Sequence, residues 1–189
     1  MKLQTLAAGL CLLMTACTQN PEAAMPVAEP APAPASLPAP SVSSVHVTGA
    51  SQIEIGAYLA DLGGCHDCHT PGWAQTGGNV PEDQLLVGTD VGFSGPWGTS
   101  YPGNLRLTAG QLDAGAWADM MKDRNGLPPM PWPTVNRMSR EDLMALHAYI
   151  TSLGPAGEPV PMAVTDGSGP RTPFIWFVPQ PPEAWPAQP

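Results

Sequence analysis

The chain has 189 residues, enough for one domain or two small ones, and only 12% of them are Asp, Glu, Lys or Arg, against 25 prolines. Ordinary globular domains carry about 25% charged residues and about 5% Pro, so part of the chain is not a packed domain. The formal net charge of -9 excludes a nucleic-acid binder, which needs a Lys/Arg footprint for phosphates.

The N-terminus has a short basic start at Lys2, then an apolar or small stretch from Leu3 to Ala16 that ends at Cys17. This is the layout of an export signal over 1–16, and the apolar run is too short for a spanning helix, which needs about 20 residues. Leu13-Met14-Thr15-Ala16-Cys17 resembles the lipobox of bacterial lipoproteins. That resemblance implies lipidation of Cys17, an anchor on the periplasmic side of a bacterial membrane. From 17 to 47 the chain is rich in Pro and Ala. Proline lacks the N–H that helices and ladders require, so this segment reads as an extended tether of at most roughly 90 Å.

Three helical patterns follow between 48 and 155. Ile53, Ile55, Tyr58, Leu59 and Leu62 keep near-helical spacing and stop at Gly63-Gly64. Thr108, with Gln111 three residues later, predicts a capped helix through Leu112, Ala116, Trp117, Met120 and Met121. Ser139 with Asp142 opens a last helix carrying Leu143, Leu146, Tyr149, Ile150 and Leu153. No apolar/polar alternation separates these patterns. The expected fold class is all-α, small and loop-rich. Three short helices give a thin core, so something large and apolar is expected at the centre. From 156 to 189 the chain is again Pro-rich, with one apolar island, Phe174 to Val178. It reads as a strap packed back on the domain, with docking of a partner subunit as the other reading.

Cys65-His66-Asp67-Cys68-His69 is the CxxCH pattern of c-type haem attachment. On a helical turn the two thiols share one face and His69 lies beside them, so one porphyrin edge can take both sulfurs while His69 meets the iron. His66 falls between the thiols and lacks that register. Three rival readings of the cysteines compete. A thioredoxin-like motif belongs beside a βαβ pattern, which is missing. A zinc site needs four ligands, and His46 or His147 would have to help. A disulfide-stapled lipoprotein leaves His69 without a job. Pro71 and Pro96 are both candidates for the carbonyl that steadies the other nitrogen of His69. Met130 is the candidate second iron ligand, because Pro129 and Pro131 stiffen the loop that carries it. Met138 competes, but it stands where a hydrophobic staple to Leu143 would use it. His147 reads as a packing residue. Trp97, Tyr101, Trp117 and Trp132 are expected around the porphyrin.

With these residues in view, the chain is similar to class I cytochromes c over about 105 residues, and to the cytochrome c domains of dehydrogenase-associated subunits. The carriers are CxxCH after a first helix, Gly98-Thr99-Ser100-Tyr101-Pro102-Gly103-Asn104-Leu105, Pro129-Met130-Pro131-Trp132-Pro133, and Thr172 to Gln180. The resemblance implies that the first and last helices cross near Gly56 and Tyr149, and that one covalent haem c is held by Cys65, Cys68, His69 and Met130. It implies electron transfer between partner proteins, either as a tethered carrier or as a fixed subunit of an exported dehydrogenase, rather than catalysis. A haem enzyme or gas sensor with an open iron site is the reading from another class.

Overall fold

The computed structural model describes residues 46–48 and 51–182. The leader, Cys17 and nearly all of the tether lie outside the described residues. In chain order come α1 (Gln52–Leu62), α2 (Cys65–His69), α3 (Trp73–Thr76), β1 (Gly92–Gly95), β2 (Gly98–Ser100), α4 (Leu105–Ala109), α5 (Ala114–Asp123), α6 (Trp132–Val135), α7 (Arg140–Ser152) and β3 (Phe174–Trp176). Among the described residues, no helix is long and apolar enough to cross a membrane.

The first and last helices form the frame. Ser51 caps α1 in a reciprocal box: its hydroxyl accepts from the Glu54 amide at 3.3 Å, and the Ser51 amide donates to Glu54 Oε2 at 3.0 Å. The Ser-x-x-Glu spacing was there in the sequence to predict this start. Ser139 caps α7, accepting from the Asp142 amide at 3.0 Å. The Asp142 carboxylate accepts from the Val47 amide at 2.9 Å, so the last residues of the expected tether are fastened to α7. Met138 packs against the core that contains the fully buried Leu143, as a staple requires. The two helices cross where the family resemblance implied. A Cβ on Gly56 would lie 2.0 Å from the Ala145 carbonyl oxygen and 2.6 Å from Tyr149 Cβ, so only glycine permits this approach. Ile55, Leu59, Trp117, Met121, Leu146 and Ile150 seal the core between α1, α5 and α7.

Two expectations are corrected. The helix expected to open at Thr108 is instead two. Asn104 caps α4, accepting from the Leu107 amide at 3.1 Å, and Asp113 caps α5, accepting from the Ala116 amide at 2.8 Å. Thr108 lies inside α4, where its hydroxyl donates back to the Asn104 carbonyl at 2.9 Å. Gly110 ends α4, and the side chain of Asp113 starts a new helix where continuation would have left it unused.

The domain is also not all-helical. A three-stranded sheet, in the order β2-β1-β3, closes one side. β1 and β2 form a hairpin with Gly95 opposite Gly98, and β3 joins β1 in parallel, with Phe93 opposite Ile175. Strands of three or four residues are too short to show alternation, and β1 reads Gly-Phe-Ser-Gly. Its parallel partner arrives from about 80 residues downstream, a pairing that no local pattern announces. Gly98 sits at φ 99°, and a Cβ there would meet the Val164 carbonyl at 2.2 Å. Glycine thus lets the strap lie against the hairpin.

Candidate functional site

Between the helical frame and the sheet lies an open cleft of about 290 Å³. Cys65, Cys68, His69 and Met130 all line it, with Tyr101, Phe93, Val135 and Phe177. An inner, mostly apolar cavity of about 70 Å³ adjoins it and shares Cys65, Met130, Pro131 and Val135. Leu59, Leu86, Trp117 and Ile150 line this inner part.

α2 carries the first three residues. It starts behind Gly64, which adopts the left-handed conformation at φ 63° and turns the chain out of α1. Cys65 and Cys68 then lie one turn apart, both part-buried, and both thiols are free. Burial pushes the Cys65 thiol up to about 11 and raises that of Cys68 as well, with the Asp67 carboxylate adding to both. Both sulfurs are therefore protonated near neutrality. That is the reverse of the lowered thiol of a thioredoxin-like centre. Among the described residues, no cluster of three or more His, Cys, Asp or Glu is placed to hold a metal ion, which removes the support for a zinc site.

His66 turns away from the cleft. Thr70 Oγ1 accepts from the Leu86 amide at 2.9 Å and lies 2.8 Å from His66 Nδ1, so the hydroxyl proton is directed at that nitrogen. The ring stacks on Trp73 at 4.3 Å, and burial lowers its pKa despite the nearby carboxylates of Asp61 and Asp67.

His69 is buried, and its Nδ1 donates to the Gly103 carbonyl at 2.7 Å, which leaves Nε2 with a free lone pair. Burial also holds this imidazole below the ordinary histidine range, so it is neutral, the form that binds metal. The supporting carbonyl is therefore neither that of Pro71 nor that of Pro96. It comes from the turn after β2, 34 residues downstream, where the Gly88 amide donating to the His69 carbonyl at 2.8 Å and the Thr89 amide donating to the Pro102 carbonyl at 3.2 Å bind the two loops together. Sequence separation hid this pairing.

Met130 faces the cleft from the loop between α5 and α6. The loop is steadied at one end by Ser100, whose hydroxyl donates to the Pro128 carbonyl, and at the other by the Trp132 amide donating to the Met130 carbonyl at 2.9 Å. Met138 lines only the inner cavity. His147 is a packing residue, as expected: its Nε2 lies 2.9 Å from the Leu112 carbonyl and its ring packs against Trp117.

The expected aromatic set divides. Tyr101 lines the cleft and Trp117 the inner cavity. Trp97 and Trp132 line neither. Trp97 packs edge-on to Phe177 at 6.4 Å, beneath the strap, and Trp132 lies under the Arg124 guanidinium at 5.2 Å. Phe93 and Phe177, which meet edge-on at 5.8 Å, take their places in the cleft wall. Phe177 was missed because a Pro-rich tail shows no packing period. Within that tail β3 pairs with β1, and the Phe177 amide donates to the Ser94 carbonyl at 2.8 Å.

Over 98 residues, 51% of this chain, the sequence is 35% identical to the cytochrome c subunit of a quinone alcohol dehydrogenase from Gluconacetobacter polyoxogenes. The same subunit from Komagataeibacter europaeus matches equally well. Both relatives are named as cytochrome c subunits. The chain spans only 21% of the length of these relatives. No protein-family model matches it, and no solved structure does.

Proposed function

We propose that this chain is a monohaem class I cytochrome c that carries electrons on the periplasmic side of a bacterial membrane, anchored by a lipid on Cys17. The observation that carries the reading is the convergence of Cys65, Cys68, His69 and Met130 on one cleft. The donor set fits haem c: two thiols for the thioether links, a neutral imidazole with Nε2 available, and a soft thioether across the cleft. At about 290 Å³ the cleft stands at the lower end of the about 300–1,000 Å³ typical of cofactor sites, and its inner extension is lined by apolar side chains. When bound, haem supplies a one-electron iron couple, and His/Met ligation places that couple toward the high end of the c-type range.

The chain's own residues do the rest. Gly103 fixes the tautomer and the direction of the His69 ring. The Pro129-Met130-Pro131 loop lowers the entropy lost on fixing the thioether. Leu59, Leu86, Trp117 and Ile150 keep water from the inner side. Met130 on the cleft wall argues against an open iron site. The names of the relatives favour a fixed subunit of a dehydrogenase over a free carrier, and a net charge of -9 suits a partner with a basic face.

The test is mass spectrometry and an alkaline pyridine haemochrome spectrum of protein made with a cytochrome c maturation system. One haem should stay on the peptide holding Cys65 and Cys68 through acid-acetone extraction. Met130→Ala should then abolish the weak near-infrared Fe–S band and lower the potential, while Met138→Leu leaves both in place. Haem that extracts freely would sink the reading.

A further inference from the structure

Arg106 is a cation in the core. It is 6% exposed, although it sits on α4 in a domain whose other basic residues are on or near the surface. Its Nε donates to the Gly154 carbonyl at 2.6 Å, Nη2 donates to the Leu153 carbonyl, and Nη1 donates to the Glu82 carbonyl at 3.0 Å, with Leu85 O at 3.5 Å. Every partner is a backbone oxygen. Among the described residues, no carboxylate lies within ion-pair reach of the guanidinium.

Capping the last carbonyls of α7 explains the contacts but not the charge. A neutral amide could serve part of the same group without the desolvation that a buried guanidinium incurs. The carbonyls at the end of α7 offset that cost through the helix dipole, whose field fades within a turn. The net positive charge is not cancelled, and its field reaches farther.

Its reach includes the cleft. Gly103, whose carbonyl holds His69, is three residues before Arg106. Leu85, one of its acceptors, is followed by Leu86, whose amide donates to Thr70 next to His69. Three residues span at most about 11 Å between Cα atoms, and we take the guanidinium to lie on the order of 12 Å from the His69 ring.

We propose that Arg106 sets the reduction potential of the site: its permanent buried charge favours the reduced state. The inference rests on the haem reading above. When one electron passes from the iron to a partner protein, the site's charge rises by one, against the standing positive field of Arg106. Coulomb's law at about 12 Å and an effective dielectric of about 20 gives roughly a tenfold bias in the reduced-to-oxidised ratio.

The experiment is a potentiometric titration of the haem-loaded protein, of Arg106→Gln and of Arg106→Lys, from pH 6 to 10 and at low and high salt. Arg106→Gln should lower the reduced-to-oxidised ratio about tenfold at a fixed solution potential, which is about 59 mV for a one-electron couple. Arg106→Lys should match the wild type at low pH and fall toward Arg106→Gln as the buried amine, followed by NMR, loses its proton. Tyr149 also feels the Arg106 charge, so the comparison is read below the Tyr149 transition, which burial raises. The shifts should survive high salt, because the charge is buried. A merely structural cap would alter melting temperature and leave these potentials together. The proposal is overturned if Arg106→Gln keeps the wild-type potential, or if the introduced amine deprotonates with no change in potential. The second arm decides alone should Arg106→Gln not fold. A wild-type chain that carries no haem would break the functional reading instead.

Discussion

The two walls of the cleft are built differently. On the helical side, α1, α5 and α7 bury Leu143, Ala60 and Ala118 completely and leave no room for a methyl group at Gly56. On the other side, β3 is held by backbone hydrogen bonds to β1, yet Phe174, Ile175, Trp176 and Phe177 each stay about half exposed, at 48–54%. One wall is fixed by side-chain packing and the other by main-chain pairing. Removing or adding side-chain atoms should therefore disturb the first far more than the second, although both bound the same site.

The sharpest way to break this contrast is Gly56→Ala. The added carbon would overlap a backbone oxygen that cannot rotate away, so the loss of stability in denaturant should reach about 3 kcal/mol or more. A loss under about 1 kcal/mol would mean that the helices slide apart easily and that the packed wall is not rigid.

A smaller effect is expected from acid. Burial is the main cause that lowers the His66 pKa, so the unfolded chain binds this proton more readily than the folded one. Stability linked to His66 is therefore complete above about pH 6.5 and is lost as the pH falls through the lower, folded value. Melting curves from pH 7.5 to 5 should fall more steeply for the wild type than for His66→Gln. Equal slopes would show that His66 is solvated on the helical side.

The smallest effect should come from the strap. Trp176→Ala removes a side chain that is 54% exposed while leaving the ladder bonds of β3, and should cost at most about 1 kcal/mol in the same denaturation assay. A loss as large as that of Gly56→Ala would show that the strap wall depends on side-chain packing after all.

Much of the site was legible in the sequence, because its chemistry is local. Cys65, Cys68 and His69 share one helical turn, so spacing alone set their common face. Pro129 and Pro131 restrict their loop whatever surrounds it, which distinguished Met130 from Met138 before any contact was known. The starts of the first and last helices lay equally open, since a cap is a relation between residues three apart. The split of α4 from α5 was misread because two valid capping signals compete there. Gly110 ends α4 and the Asp113 side chain caps α5, so the Asn104 and Asp113 caps prevail over the Thr108 signal.

Only the tertiary structure supplied the Gly103 carbonyl, the Phe93 and Phe177 wall, the parallel β1–β3 pairing and the buried charge of Arg106. Each joins segments tens of residues apart, and all but the Phe93–Phe177 ring contact use backbone groups that every residue carries alike. A carbonyl oxygen or an amide has no signature in a sequence. The chain's chemistry was written in its side chains, and the support for that chemistry in a main chain that only folding brings together.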